Sequence, residues 1–201
     1  IAAAPQPRGG TWSPDGESLF APSTGGLHRV RAFGGEVVPV TSTKSSRGSL
    51  APRWPQFLPD GHRFLFTASG PESPVGIYVG DLASGAELRL LIRDGSGAIY
   101  SDGWILFVRD TVLMVRQFDV RRLELISEPR AIAYADSVGS RAGHAPPYSV
   151  GASVLAFRTG GASAVQSLLW VDRTGKVIQA AGEPTEQDDF SLSPDLSRVA
   201  V

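Results

Sequence analysis

The sequence predicts an all-β fold, a β-propeller of four-stranded antiparallel blades, and three observations predict it. A hairpin phrase returns every 42 to 48 residues, its second half is an almost unbroken apolar run, and each period carries further strand-like segments. A repeat of about 40 to 50 residues is the period of propeller blades.

The phrase is clearest in "TWSPDGESLFAP" (Thr11 to Pro22) and "PQFLPDGHRFLFTA" (Pro55 to Ala68), anchored on Gly16 and Gly61. A third copy, "IYSDGWILFVRD", places Gly103 at the same point, and a weaker fourth, "YSVGASVLAFR", places Gly151 there. A fifth begins at "FSLSPDLSRVAV", with Leu196 in the glycine position. Pro-Asp-Gly is a turn device: proline presets φ, aspartate accepts from backbone N–H groups just ahead, and glycine takes the positive φ. Asp15 and Asp60 therefore read as turn formers rather than as acids or metal ligands.

The runs "SLFA", "FLFTA", "WILFV" and "VLAF" follow the turns. A strand with one wet face alternates apolar and polar residues, whereas a strand covered on both faces need not. Stacked blades cover both faces of an inner strand. The rest of each period supplies a third segment ("GLHRVRAFGGE", "GIYVGDLASGAE", "TVLMVRQFDVRRLE", "SLLWVDRTGKV"), then a turn signal and a short fourth piece. This gives blades at approximately 9–47, 53–95, 98–136 and 147–182, with a partial blade over 189–201. On this reading the chain is an interior slice of a longer propeller, and its open blade edges offer a route to self-association.

Composition narrows the function classes. The 201 residues carry a formal net charge of −1, which leaves no electrostatic footprint for nucleic acid. Apolar runs reach about five residues, far short of the ~20 that span a bilayer, so no direct membrane contact is expected of this segment. Cysteine is absent, which removes disulfide and thiolate chemistry. Asparagine is also absent and Arg outnumbers Lys 17 to 2, a bias that codon usage explains.

No motif announces a reaction, and no catalytic residue, cofactor or metal is expected. His28, His62 and His144 form none of the spacings that bind zinc. No G-x-S-x-G elbow occurs. The acidic run at Glu183, Glu186, Asp188 and Asp189 lacks the alternating pattern of a calcium loop and reads as solvated linker. Trp12, Trp104 and Trp170 fall in or beside strands and read as buried blade contacts, while Trp54 follows a loop.

Loop lengths say more. Long connections gather on one face: "TSTKSSRGSLAPR", "TASGPESPVG", "ADSVGSRAGHAPP" and "RTGGASAVQ". Binding residues concentrate on loops held by a rigid scaffold. Arg47, Arg53, Trp54, Glu72, Arg141, His144 and Tyr148 are the binding candidates there, and a protein or peptide is the expected partner.

The "SPDG" hairpin resembles the TolB-type, WD-like propeller repeat, which also builds the non-catalytic propellers of prolyl-oligopeptidase-type peptidases. The longer phrases "RGGTWSPDGESLFAP", "GGLHRV", "GGEVVPVT", "RWPQFLPDGHRFLF", "GIYVGDL" and "LLWVDRTGKV" resemble the extracytoplasmic propeller of some bacterial Ser/Thr protein kinases. That resemblance covers essentially the whole chain. It implies a non-enzymatic sensor or docking module outside the membrane, linked to a kinase that this segment does not contain. A propeller gating a peptidase, and a small-ligand sensor using the central channel, are the alternatives. Copies three and four depart from the pattern by lacking the full Pro-Asp-Gly.

Overall fold

Backbone hydrogen bonding sorts the chain into successive antiparallel sheets, each built from consecutive strands. The structure is a computed structural model that describes residues 4, 6–41, 50–71, 73–83, 88–110, 112–133, 146, 148–151, 154–159, 167–172, 176–184, 191–192 and 199–200. The first sheet runs β1 (Gly10–Trp12), β2 (Glu17–Phe20), β3 (His28–Arg31) and β4 (Val38–Pro39). The second runs β5 (Ala51–Phe57), β6 (Arg63–Gly70), β7 (Ser73–Asp81) and β8 (Arg89–Arg93). In the third, β9 (Ser96–Ser101), β10 (Trp104–Arg109) and β11 (Val112–Asp119) follow in order. Two short strands, β12 (Glu124–Leu125) and β13 (Arg130–Ala133), share its outer position against β11. The fourth runs β14 (Tyr148–Val150), β15 (Leu155–Thr159), β16 (Ser167–Val171) and β17 (Val177–Ala180). A hairpin of β18 (Ser191–Leu192) and β19 (Val199–Ala200) completes the strands, and no helix occurs among the described residues. The fold is all-β, with the sheets of a β-propeller.

The split in the third sheet has a local cause. Between β12 and β13 the Gln117 N–H donates to Ser127 Oγ at 2.9 Å, and Arg116 Nε donates to the Ser127 carbonyl. A side chain and a carbonyl thus replace one rung of the ladder, and Pro129 beyond them has no N–H to offer.

Two compact units divide the chain. One comprises Ile1–Ala98 with Val120–Glu124, the other Ile99–Asp119 with Leu125–Val201. In the first unit a cluster joins Leu19, Ala21 and Leu27 of the first sheet to Phe57, Phe64, Phe66, Ala68 and Tyr78 of the second. In the second unit Leu106, Val108 and Leu113 pack with Tyr148, Leu155, Phe157 and Val171.

The second strands behave as their composition demands. Phe64, Leu65 and Phe66 are consecutive in β6 and all fully buried, as are Ile105 and Phe107 in β10, with Leu106 between them only 5% exposed. Successive residues of a strand point to opposite faces, so burial of all three requires cover on both sides.

The repeated turn forms as its residues predict, with one variation. In the first two copies Gly16 N–H and Gly61 N–H donate to the carbonyls of Ser13 and Leu58, at 3.1 and 3.0 Å. Both glycines have φ of +76°. Each is a type I turn closed by a left-handed glycine. Asp60 fixes the second turn: Oδ1 accepts from the N–H groups of His62 (3.1 Å) and Arg63 (2.9 Å), and Oδ2 from Arg63 Nε at 2.6 Å. In the first turn Ser13 Oγ takes that role, accepting from Glu17 N–H at 3.1 Å. The third copy has no proline. There Asp102 and Gly103 both take positive φ, +44° and +83°, the signature of a two-residue I′ turn favoured by Asp-Gly.

A methyl group at Gly61 would approach Asp15 Oδ2 and Pro14 Cδ to 3.3 Å. Gly61→Ala therefore meets both left-handed strain and crowding, and is expected to cost about 1–2 kcal/mol. A denaturant midpoint within error of the parent would contradict this.

Burial opposes ionisation of Asp60, but the N–H groups of Arg63 and His62 and the Arg63 side chain outweigh it, and its carboxyl lies below the ordinary value. A depressed carboxyl stabilises the fold above its unfolded pKa of ~3.9, and the contribution is lost as pH falls through the lower folded value. Asp60→Asn is expected to flatten that acid limb, read by denaturation at successive pH values.

Candidate functional site

Four of the residues selected from sequence, Arg47, Glu72, Arg141 and His144, lie outside the described residues. The other three fall in strands rather than loops. Arg53 is half-buried in β5, opposite Thr67 of β6.

Trp54 occupies a bulge. Pairing jumps from Arg53↔Thr67 to Gln56↔Leu65, so Trp54 and Pro55 together oppose Phe66. Trp54 has φ of +53°, which a bulky side chain rarely adopts. Its N–H donates to the Arg8 carbonyl at 2.7 Å. A side chain at Gly9 would sit 2.6 Å from the indole and 2.9 Å from Trp54 Cα, so only glycine admits this approach. The bulge therefore fastens the second sheet to the first.

Tyr148 is a correction to the loop-face reading. It begins β14, is 2% exposed, and its hydroxyl donates to the Leu106 carbonyl at 2.7 Å. Pairing with Phe157 turns the ring into the core between the third and fourth sheets. The segment "TASGPESPVG" is also not a long loop. β6 and β7 extend through it and pair as far as Gly70↔Ser73, which leaves two residues for the connection. Trp12 is 58% exposed rather than a buried contact. Trp104 and Trp170 are half-buried.

A cleft opens in the second unit. It has a volume of about 670 Å³ and lies between the third and fourth sheets. Apolar walls come from Trp104, Leu106, Val115 and Ile132 on one side and Val150, Val154 and Leu155 on the other. Ser101, Asp102, Arg130 and Asp172 add polar groups. Asp172 Oδ1 accepts from Lys176 N–H at 3.1 Å, which ties the β16–β17 connection.

Repeat chemistry accounts for the opening. In the first unit the two Pro-Asp-Gly turns stack, with Gly61 against Pro14 and Asp15. In the second unit the corresponding Asp102 and Gly151 both line the cleft instead of meeting. Neither copy has the proline, and small residues occupy the fourth ("VGAS"). Deeper in, Tyr148 bridges the sheets, so they are fastened below and parted above. Its lining includes Ser101 and Asp102 at the turn after β9, Gly151 and Val154 between β14 and β15, and Asp172 just past β16. The binding candidates selected from sequence include none of the cleft residues described; the signal available for the cleft was the loss of proline from copies three and four.

No family model matches the sequence, and no curated protein sequence matches it. Solved structures do share the fold. TolB from Acinetobacter baumannii is similar at 17% identity with a TM-score of 0.65, over 94% of this chain and 45% of that one. A chain of a nidogen/laminin complex is similar at 14% identity and TM-score 0.63, over 94% of this chain and 70% of that one. An oligogalacturonate lyase in complex with manganese is similar at 13% identity and TM-score 0.61, over 98% of this chain and 58% of that one. The present chain thus spans about half the length of the TolB and lyase chains. At these identities the likeness shows a TolB-type propeller fold. A fold that also hosts a lyase does not decide activity.

Proposed function

We propose that this propeller is a non-catalytic binding module that recognises a protein or peptide. The observation that carries the reading is the open cleft of about 670 Å³, apolar along its walls and polar at a few points. Recognition sites have this character: mostly apolar lining, with a small number of polar groups that fix orientation. Its volume is in the ~300–1,000 Å³ range of such sites.

Selection from a displayed random-peptide library against the folded chain, with heat-unfolded chain as control, tests the proposal. Enrichment of a sequence family by the folded chain alone is expected. Enrichment of none, or equal enrichment by unfolded chain, overturns it. The finer reading, an extracytoplasmic propeller serving a bacterial Ser/Thr kinase, rests on the resemblance of the phrases around Trp12, Trp54 and Trp170. Its test is the natural reading frame: a kinase domain and a membrane helix upstream support it, and a G-x-S-x-G peptidase domain downstream favours the substrate-gating alternative.

A further inference from the structure

We infer that the first sheet takes a second copy of this chain on its open face, the two copies related by a two-fold axis. The face is the one turned away from the second sheet. Strand pairing places Trp12, Ser18, Phe20, His28, Val30 and Pro39 on it, while Thr11, Leu19 and Arg29 alternate to the other side.

The repeat shows that this face is built for cover. In the second sheet the pairs Phe57↔Phe64 and Phe66↔Tyr78 hold the hairpin positions that Trp12↔Ser18 and Phe20↔His28 hold in the first. The ring geometry returns as well: Phe66 stacks on Tyr78 with centroids 5.6 Å apart, and Phe20 on His28 at 5.8 Å. The four rings of the second sheet are at most 8% exposed, packed against Leu19, Ala21 and Leu27 of the first. On the first sheet Ser18 and Val30 are buried, but Trp12 is 58% exposed, Pro39 is exposed, and Phe20 and His28 are half-buried. An uncovered apolar surface of this kind marks a contact site.

Charge and the remaining faces specify the occupant. None of these strand residues is Lys, Arg, Asp or Glu, so a charged partner finds no counter-charge, and two copies of the face meet without like-charge repulsion. Head-to-tail stacking needs an open face of the opposite kind, the side that carries Leu19 in the first sheet. On that side Leu65 and Ile77 of the second sheet, Leu106 and Val108 of the third, and Ala156 and Leu168 of the fourth are all at most 5% exposed. Among the described sheets, what matches the open face is the same face of a second copy, the isologous contact of a two-fold dimer. Three strand spacings of ~4.8 Å and four residues of ~3.3 Å give a face about 14 by 13 Å. Two such faces bury less than the ~1,200 Å² of standard complexes, so the pairing is weak and the chain is monomeric at micromolar concentration.

Sedimentation equilibrium of the 201-residue chain from ~5 μM to ~1 mM tests this. The mass is expected to rise from 21.3 kDa towards twice that value and stop there, with half-association on the order of 0.1 mM. Trp12→Glu sets a carboxylate on both faces and is expected to weaken association about tenfold or more. Pro39→Glu, on the exposed outer strand of the same face, is expected to do likewise, and decides the matter should Trp12→Glu lower the urea midpoint. Val177→Glu, on the exposed outer strand of the fourth sheet, is expected to associate like the parent. A chain monomeric throughout the range would overturn the inference and leave the face to another occupant. A mass climbing past the dimer, as head-to-tail stacking gives, would overturn it too, as would equal association of folded Pro39→Glu and Val177→Glu.

Discussion

Replacing Phe66 with alanine is expected to remove about 3–5 kcal/mol from the first unit, the range for deleting a fully buried aromatic ring. Phe66 is 0% exposed, and its ring lies 5.8 Å from Phe64 and 5.6 Å from Tyr78. The cluster it belongs to joins the first two sheets, so the loss falls on the packing between blades rather than on one strand. Against a total stability of about 5–15 kcal/mol this is a large fraction, and partial unfolding of the variant at ambient temperature is expected. Phe33 provides the control. It is 103% exposed at a turn tip, and Phe33→Ala is expected to stay within about 0.5 kcal/mol of the parent. Urea titration of both variants decides: equal midpoint shifts would mean that Phe66 is not sandwiched.

Tyr148→Phe is expected to cost about 1–3 kcal/mol in the second unit while leaving ring volume unchanged. The hydroxyl donates to the Leu106 carbonyl at 2.7 Å and accepts from the Ile99 N–H. Removing it leaves two buried backbone groups short of a partner. Burial raises the phenol well above 10, and the Ile99 N–H offsets only part of this. The folded state therefore holds that proton more tightly than the unfolded chain. The associated stability is intact below the unfolded pKa of ~10 and is lost as pH rises through the higher folded value. Tyr148→Phe should weaken the protein at neutral pH and remove part of its alkaline instability. A variant with an unchanged alkaline limb would contradict the buried placement.

The periodic parts of this fold were legible because they are local. A turn of Pro-Asp-Gly carries its own φ requirements, and an unbroken run such as Phe64-Leu65-Phe66 states its own two-sided burial. What depended on partners distant in sequence was not legible. Tyr148 follows a Pro-rich stretch and reads as loop, but its register with Phe157 turns it inward. The segment from Thr67 to Gly76 is rich in Gly, Ser and Pro, yet cross-strand pairing carries it as strand through Gly70 and again from Ser73. Trp54 departs most from local preference, because its positive φ is held by Arg8 and Gly9 of the neighbouring sheet. The cleft is the same lesson on a larger scale. Proline-free turns were visible at Asp102 and Gly151, but that their sheets part there emerges only when both are in place.

Hydroxyl-radical footprinting of the folded chain measures the central arrangement most directly, since it reads the wetting of individual side chains. With β6 covered on both faces, Phe64, Leu65 and Phe66 should remain unmodified while Phe33 and Trp12 are modified readily. Oxidation of Leu65 or Phe66 at a rate comparable to Phe33 would contradict the stacked-blade account.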